Sequence, residues 1–267
     1  MAIDPQAHGL PGNGNAYYDR AFSRWLPVGR QAVAADGKHY AFSEPAADQT
    51  KNPKIHVVDV TTGADRVFET PSQTWFIAYG VLDFSGDGIY LVQAYESPMF
   101  GLWLLNPTTG AMTEVAHLDY IEGSAGNKIF WLGYVDPTDN HNVGTLFSYA
   151  DQLDRYNIAD GSRTPWLHQP GKGISLVAID AAGHPLVALI SSLQSQDAIW
   201  ALVLLPGPNM QRQIIEARAD FVSSLSSSIT DGHGVWFGSR QGIYLYSEGG
   251  GLQKVSNQTG YPANGCF

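Results

Sequence analysis

The sequence predicts an all-β chain, a propeller of six blades in which one blade is incomplete or shared between the termini, with five blades as the alternative. Three observations lead there. Two turn signals alternate along the chain at a spacing of about 40–50 residues. Short apolar runs rich in Val, Ile, Leu, Tyr and Trp lie between them. No long window carries the 3.6-residue apolar stripe of a helix.

Taken in chain order, residues 1–28 form an N-terminal arm. Its runs Ala16-Tyr-Tyr-Asp-Arg20 and Arg24-Trp-Leu-Pro-Val28 match Ile243-Tyr-Leu-Tyr-Ser247 and Leu252-Gln-Lys-Val255, the last two strands of a unit. The arm is therefore expected to lend two strands to the closing blade, a device that protects open sheet edges. Residues 29–257 hold the blades. The first signal, a Gly-containing turn followed at once by an apolar strand, stands at Asp36-Gly37, Asp87-Gly88, Gly126-Asn127, Ala182-Gly183 and Asp231-Gly232. The second closes on glycines 63, 110, 161, 207 and 250, in steps of 47, 51, 46 and 43. Glycine supplies the positive φ of tight hairpins, and Asp or Asn tolerates it. The second unit shows the scheme in full, with strands over Tyr79 to Phe84, Ile89 to Tyr95, Leu102 to Leu105 and Met112 to His117. Residues 258–267 are a tail with Gly260, Pro262 and Gly265, a poor donor of strands.

Composition narrows the partners. Asp and Glu number 25 against 15 Lys and Arg, a net charge of −10, and no basic cluster is present, so nucleic acid and anionic membranes are not expected partners. The most apolar stretch, Ile174 to Ile190, is broken by Asp180, Gly183, His184 and Pro185, so no membrane insertion is expected. The start Met1-Ala-Ile-Asp-Pro5 lacks the basic and apolar regions of a secretory signal, which is also how a mature domain reads once its signal is removed. The one cysteine, Cys266, cannot form an internal disulfide.

The run Asp36-Gly-Lys-His-Tyr-Ala-Phe42, leading to Ile55-His-Val-Val-Asp-Val-Thr-Thr-Gly63, resembles the WD-type repeat of TolB-like propellers. The likeness covers the first two units well and the third and fourth loosely. The fifth, Asp231-Gly-His-Gly-Val-Trp-Phe-Gly238 with Gly242-Ile-Tyr-Leu-Tyr246, is similar to propeller repeats of bacterial two-component sensors. From Tyr17-Tyr-Asp-Arg to Gly-Leu-Gln-Lys-Val255 the chain is similar to secreted bacterial propellers of unassigned role. The resemblance implies an exported protein, extracellular, periplasmic or at the cell surface. It implies no catalytic residues, because such repeats specify packing.

Longer links alternate with the tight turns and should lie at the opposite ends of the strands, where binding residues collect. Trp75, Phe100, Tyr120 and Tyr134 fall in or beside them, with Glu96 among several carboxylates. Aromatic plates among acids suit a glycan, a cationic peptide or a basic protein patch. The plainer reading is that these rings are blade packing. Asp136-Pro-Thr-Asp139-Asn140-His141-Asn142 is rich in oxygen ligands, but its spacing does not match a calcium loop, and no metal or other cofactor is expected. Asp83 and Asp180 sit at the ends of first strands, where turn capping explains both. His39 and His56 lie in neighbouring strands and read as packing residues. No nucleophile elbow, phosphate loop or paired zinc histidines occur.

The expectation is an exported, monomeric, non-enzymatic binding or scaffold propeller with a protein or glycan ligand. The alternatives are a carbohydrate hydrolase or lyase using carboxylates from different blades, or the sensor portion of a larger signalling protein.

Overall fold

The computed structural model describes residues 17–46, 51–70, 78–94, 100–119, 121–126, 128–134, 150–170, 172–190, 199–216 and 225–258. These residues form strands joined by turns, with a single 3₁₀ turn over Arg30–Ala32. The chain divides into two compact units, residues 1–127 and 128–267.

The first unit opens with a hairpin of β1 (Tyr17–Asp19) and β2 (Arg24–Leu26). Asp19 shapes its turn, its Oδ1 accepting the backbone N–H of Ala21 at 2.8 Å. The first blade follows as β3 (His39–Glu44), β4 (Lys54–Asp59) and β5 (Asp65–Glu69), in that order. An isolated bridge between Val33 and Tyr40 is the rudiment of its inner strand. The second blade is complete, with β6 (Ala78–Ser85), β7 (Gly88–Ala94), β8 (Phe100–Leu105) and β9 (Met112–Asp119). β10 (Ile121–Gly126) runs beside β6.

The first two blades pack face to face. Ala41, Ile55 and Val57 of the first meet Tyr79, Phe84, Ile89 and Leu91 of the second in one buried cluster. Strand periodicity decides which residues do so, since alternate positions share a face. The other face of the first blade is covered near β3 by the hairpin, through Tyr17, Phe22, Leu26 and Val28 against Tyr40, Phe42 and Val60. β4 is thus buried on both faces, and Ile55, His56, Val57 and Val58 are all buried.

The second unit contains β11 (Ile129–Tyr134), β12 (Gln152–Asn157) and β13 (Ser162–His168). Within it β11, β12 and β13 pair in that order, and the division between the units falls just before β11. β14 (Gly173–Ile179), β15 (Pro185–Ile190), β16 (Ile199–Gly207) and β17 (Met210–Glu216) make the fourth blade. β18 (Leu225–Asp231), β19 (Gly234–Ser239), β20 (Gly242–Ser247) and β21 (Gly251–Ser256) make the fifth. Leu186, Ala188, Leu202 and Leu204 pack on Val235, Phe237 and Tyr246 between these last two. Their first strands are also tied by hydroxyls: Ser228 Oγ donates to the Val177 carbonyl at 2.8 Å, and Thr230 Oγ1 to that of Ile179.

The fold is an all-β propeller of five blades, the alternative reading, and six is corrected. The N-terminal hairpin has the expected strand pair, which among the described residues is a two-stranded sheet. Leu26 and Val28 are buried against the first blade, and Tyr17 and Phe22 half-buried. The second turn signal is also corrected in part. Gly63, Gly110 and Gly161 adopt φ near +70° (+70°, +74° and +70°), but in the last two blades that conformation falls to Asn209 and Gly251 rather than to Gly207 and Gly250. The chain reverses at Pro208-Asn209, between the paired residues Gly207 and Met210.

Candidate functional site

Of the sequence-predicted site residues, Trp75, Glu96 and Tyr120 lie outside the described residues, as does the oxygen-rich loop 136–142. Phe100 opens β8 opposite Gln93 and Asp119, and Tyr134 closes β11 opposite Gln152. The described residues instead assemble a groove at the tight-turn end of the first two blades.

Two tight turns at this end share one design. Asp59 Oδ1 accepts the N–H groups of Thr61 and Thr62 at 2.8 and 2.7 Å, and the Gly63 N–H closes on the Asp59 carbonyl at 2.9 Å. Asn106 does the same for Thr108 and Thr109 at 2.8 and 3.0 Å, with Gly110 closing on the Asn106 carbonyl at 2.9 Å. This is the local Asx bonding that makes Asp and Asn turn formers. Gly110 also permits a close approach between blades. A Cβ on it would stand 2.4 Å from the Phe68 ring of β5, so only glycine lets this turn settle there.

The resulting groove has a volume of about 370 Å³. Ala34, Val57, Phe84 and Pro107 give it apolar walls, and Asp36, His39, Arg66, Ser85 and Thr108 supply polar groups. Val57 and Phe84 belong to the core between the blades, so the floor is fixed. Arg66 is paired with Val57 across β4 and β5 and shares its face, which directs it toward the second blade. Its Nη1 donates to the Pro107 carbonyl over 3.4 Å. His39 Nε2 stands 3.8 Å from Asp59 Oδ2. Hydrogen bonds from the Thr62 backbone and hydroxyl hold the Asp59 carboxyl below its usual range, against a smaller opposing effect of burial.

Two other groups of titratable residues lie in the first unit, outside the groove lining. Asp83, on β6 at a break in register between Val81 and Asp83, has its Oδ2 buried without a hydrogen-bond partner among the described residues. Burial pushes its carboxyl up, outweighing the pull of the Arg30 guanidinium and the Phe84 N–H. Turn capping therefore does not account for Asp83, and that expectation is corrected. Asp180 does cap its turn, accepting from the N–H groups of Ala182 and His184 at 2.9 and 2.8 Å.

On the opposite face of the first blade, His56 stacks on Phe42 with ring centroids 4.5 Å apart. Its Nδ1 lies 2.8 Å from Asp65 Oδ2 and its Nε2 3.0 Å from Glu44 Oε2, while Lys54 Nζ reaches Glu44 Oε1 at 3.2 Å. This clamp joins all three strands.

Chemically the groove sets a guanidinium, an imidazole, a carboxylate and two hydroxyls around an apolar floor. No cluster of three or more His, Cys, Asp or Glu among the described residues is placed to hold a metal ion. No helix among them is long and apolar enough to cross a membrane.

Sequence reasoning missed Arg66 and Pro107 because the groove comes from neighbouring turns meeting, not from any one motif. A signal was present. On β5, Arg66 and Phe68 share the face toward the second blade; Phe68 is half-buried there, and Arg66 is exposed beside it, a charge next to an inward ring.

This architecture is that of a TolB-like β-propeller. Comparison with solved structures bears this out at the level of the fold. A structure of a prolyl endopeptidase matches 85% of this chain at 11% identity and a TM-score of 0.56, over 35% of its own length. TolB from Acinetobacter baumannii matches 86% at 16% identity and a TM-score of 0.53, over 54% of its own length. The chain thus spans about a third of the first of these proteins and just over half of the second. No family model and no curated protein sequence matches it.

Proposed function

We propose that this chain is an exported, non-enzymatic binding propeller whose ligand is a protein segment received in the groove between the first and second blades. The observation that carries this reading is the groove itself. It has a fixed apolar floor, a rim of dissimilar polar groups, and a volume of about 370 Å³, within the range of small-ligand and side-chain pockets. A glycan would call for an exposed aromatic plate. Phe84, the ring in this groove, is buried at 7% exposure, so the lining favours a peptide. The fold supports a binding or scaffold role, since a propeller presents many turns from a rigid frame.

Panning a random peptide display library on the purified chain tests the reading. Ala35 lines the groove and is exposed, so Ala35→Trp fills the space without entering the core. The expected result is a set of enriched peptides that bind the parent chain and lose binding to Ala35→Trp. Peptides that bind both forms equally would place the binding surface elsewhere.

A further inference from the structure

We infer that the groove selects an acidic peptide, with Arg66 gripping its carboxylate; this rests on the groove being the binding site. Some cations of the chain are held by a carboxylate: Lys54 has Glu44, Arg163 has Asp154, and Arg212 has Glu248. Arg66 is the cation that lines the groove. Among the described residues it forms no ion pair, and its one hydrogen bond is the long contact to Pro107.

Asp36, the carboxylate in the lining, accepts the Lys38 N–H on its Oδ1 at 3.0 Å within its own turn. Asp59, outside the lining, is held by Thr61 and Thr62, and its other oxygen faces the His39 imidazole. The guanidinium therefore keeps most of its five N–H donors for an incoming group. A carboxylate can take two of them side by side, the geometry for which arginine is best suited.

The surroundings define the rest of the ligand. Ala34, Val57, Phe84 and Pro107 offer apolar contact to the residues flanking the acid. His39 adds an imidazole on the same wall. A polyanion such as nucleic acid is disfavoured by the net charge of −10, whereas one carboxylate on an otherwise apolar segment is not. Arg66 is exposed, so selectivity comes from the paired donors more than from attraction at long range.

Three probes test this by NMR titration into the full chain: acetyl-Leu-Glu-Leu-amide, its Gln counterpart, and acetyl-Leu-Leu with a free C-terminal carboxylate. The Glu probe should bind about threefold more tightly than the Gln probe, the size expected for an ion pair made at an exposed arginine. Arg66→Gln should abolish that preference, Arg66→Lys should restore part of it, and Ala35→Trp should weaken every probe. Tight binding of the free-carboxylate probe, lost in Arg66→Gln, supports the same grip and identifies a chain terminus as its source. Equal binding of the Glu and Gln probes, or a preference that survives Arg66→Gln, overturns the carboxylate assignment and leaves the groove standing. Probes unaffected by Ala35→Trp, or no binding by any probe at millimolar concentration, overturn both.

Discussion

Ile55 and His56 are consecutive residues of β4, and they face opposite ways. Ile55 is fully buried between the first two blades, in an apolar cluster with Ala41, Val57, Ile89 and Leu91. His56 is nearly as buried, at 9% exposure, but it is held by two carboxylates and a stacked ring. The difference is one of directionality. The Ile55 face is held by area and packing, which depend on volume and little on orientation. The His56 face is held by groups that must meet at hydrogen-bond distance, and it ties three strands in fixed register. One strand can thus have a face that seals a blade to its neighbour and a face that locks its own sheet.

The largest effect should come from breaking the sealed face. Ile55→Ala removes a buried side chain where its neighbours cannot collapse freely, and should cost about 3 kcal/mol by chemical denaturation. A loss under about 1 kcal/mol would mean that the interface between the blades is loosely packed. His56→Leu should cost less, about 1–2 kcal/mol. The substitution keeps an apolar contact with Phe42, and the carboxylates it leaves behind are half-exposed and regain water. Equal losses for the two variants would contradict the distinction between the faces.

The two faces were unequally legible in the sequence. The alternation of Ala41 with Phe42, and of Ile55 and Val57 with His56 and Val58, announces a strand and its period, and the repeated Gly-closed turns announce the blade. Local rules suffice for these because turns and strands are set by residues close in sequence. The His56 clamp was not legible. Glu44, His56 and Asp65 come from three strands, and their meeting depends on the register in which Phe42 faces His56 and Lys54 faces Glu44. The groove was hidden for the same reason, one level higher. Arg66 and Pro107 are brought together by the packing of two blades, and Gly110, which permits that packing, reads in the sequence only as a turn residue. The number of blades was misjudged because the N-terminal strands match a blade's outer pair in pattern, while pattern carries no information on whether inner partners exist.

The smallest effect is the most specific to the clamp. The Glu44 carboxyl is held below the usual glutamate range, first by its hydrogen bond from Lys54 and then by that to His56, with burial opposing them. For an acid whose folded-state value is depressed, the stabilisation is fully present above the unfolded value and is lost as pH falls through the lower, folded one. Glu44→Gln should therefore lower the melting temperature slightly at pH 7, and the gap should close as the pH is taken below the glutamate range. Asp59 and Asp160 are depressed in the same direction by their turns, but they are unchanged between the two proteins and cancel in the difference. Melting curves of parent and variant at neutral and acid pH measure it directly. A gap that stays constant with pH would show that Glu44 acts through its shape or its neutral hydrogen bonds, and the charge would then have no part in locking the sheet.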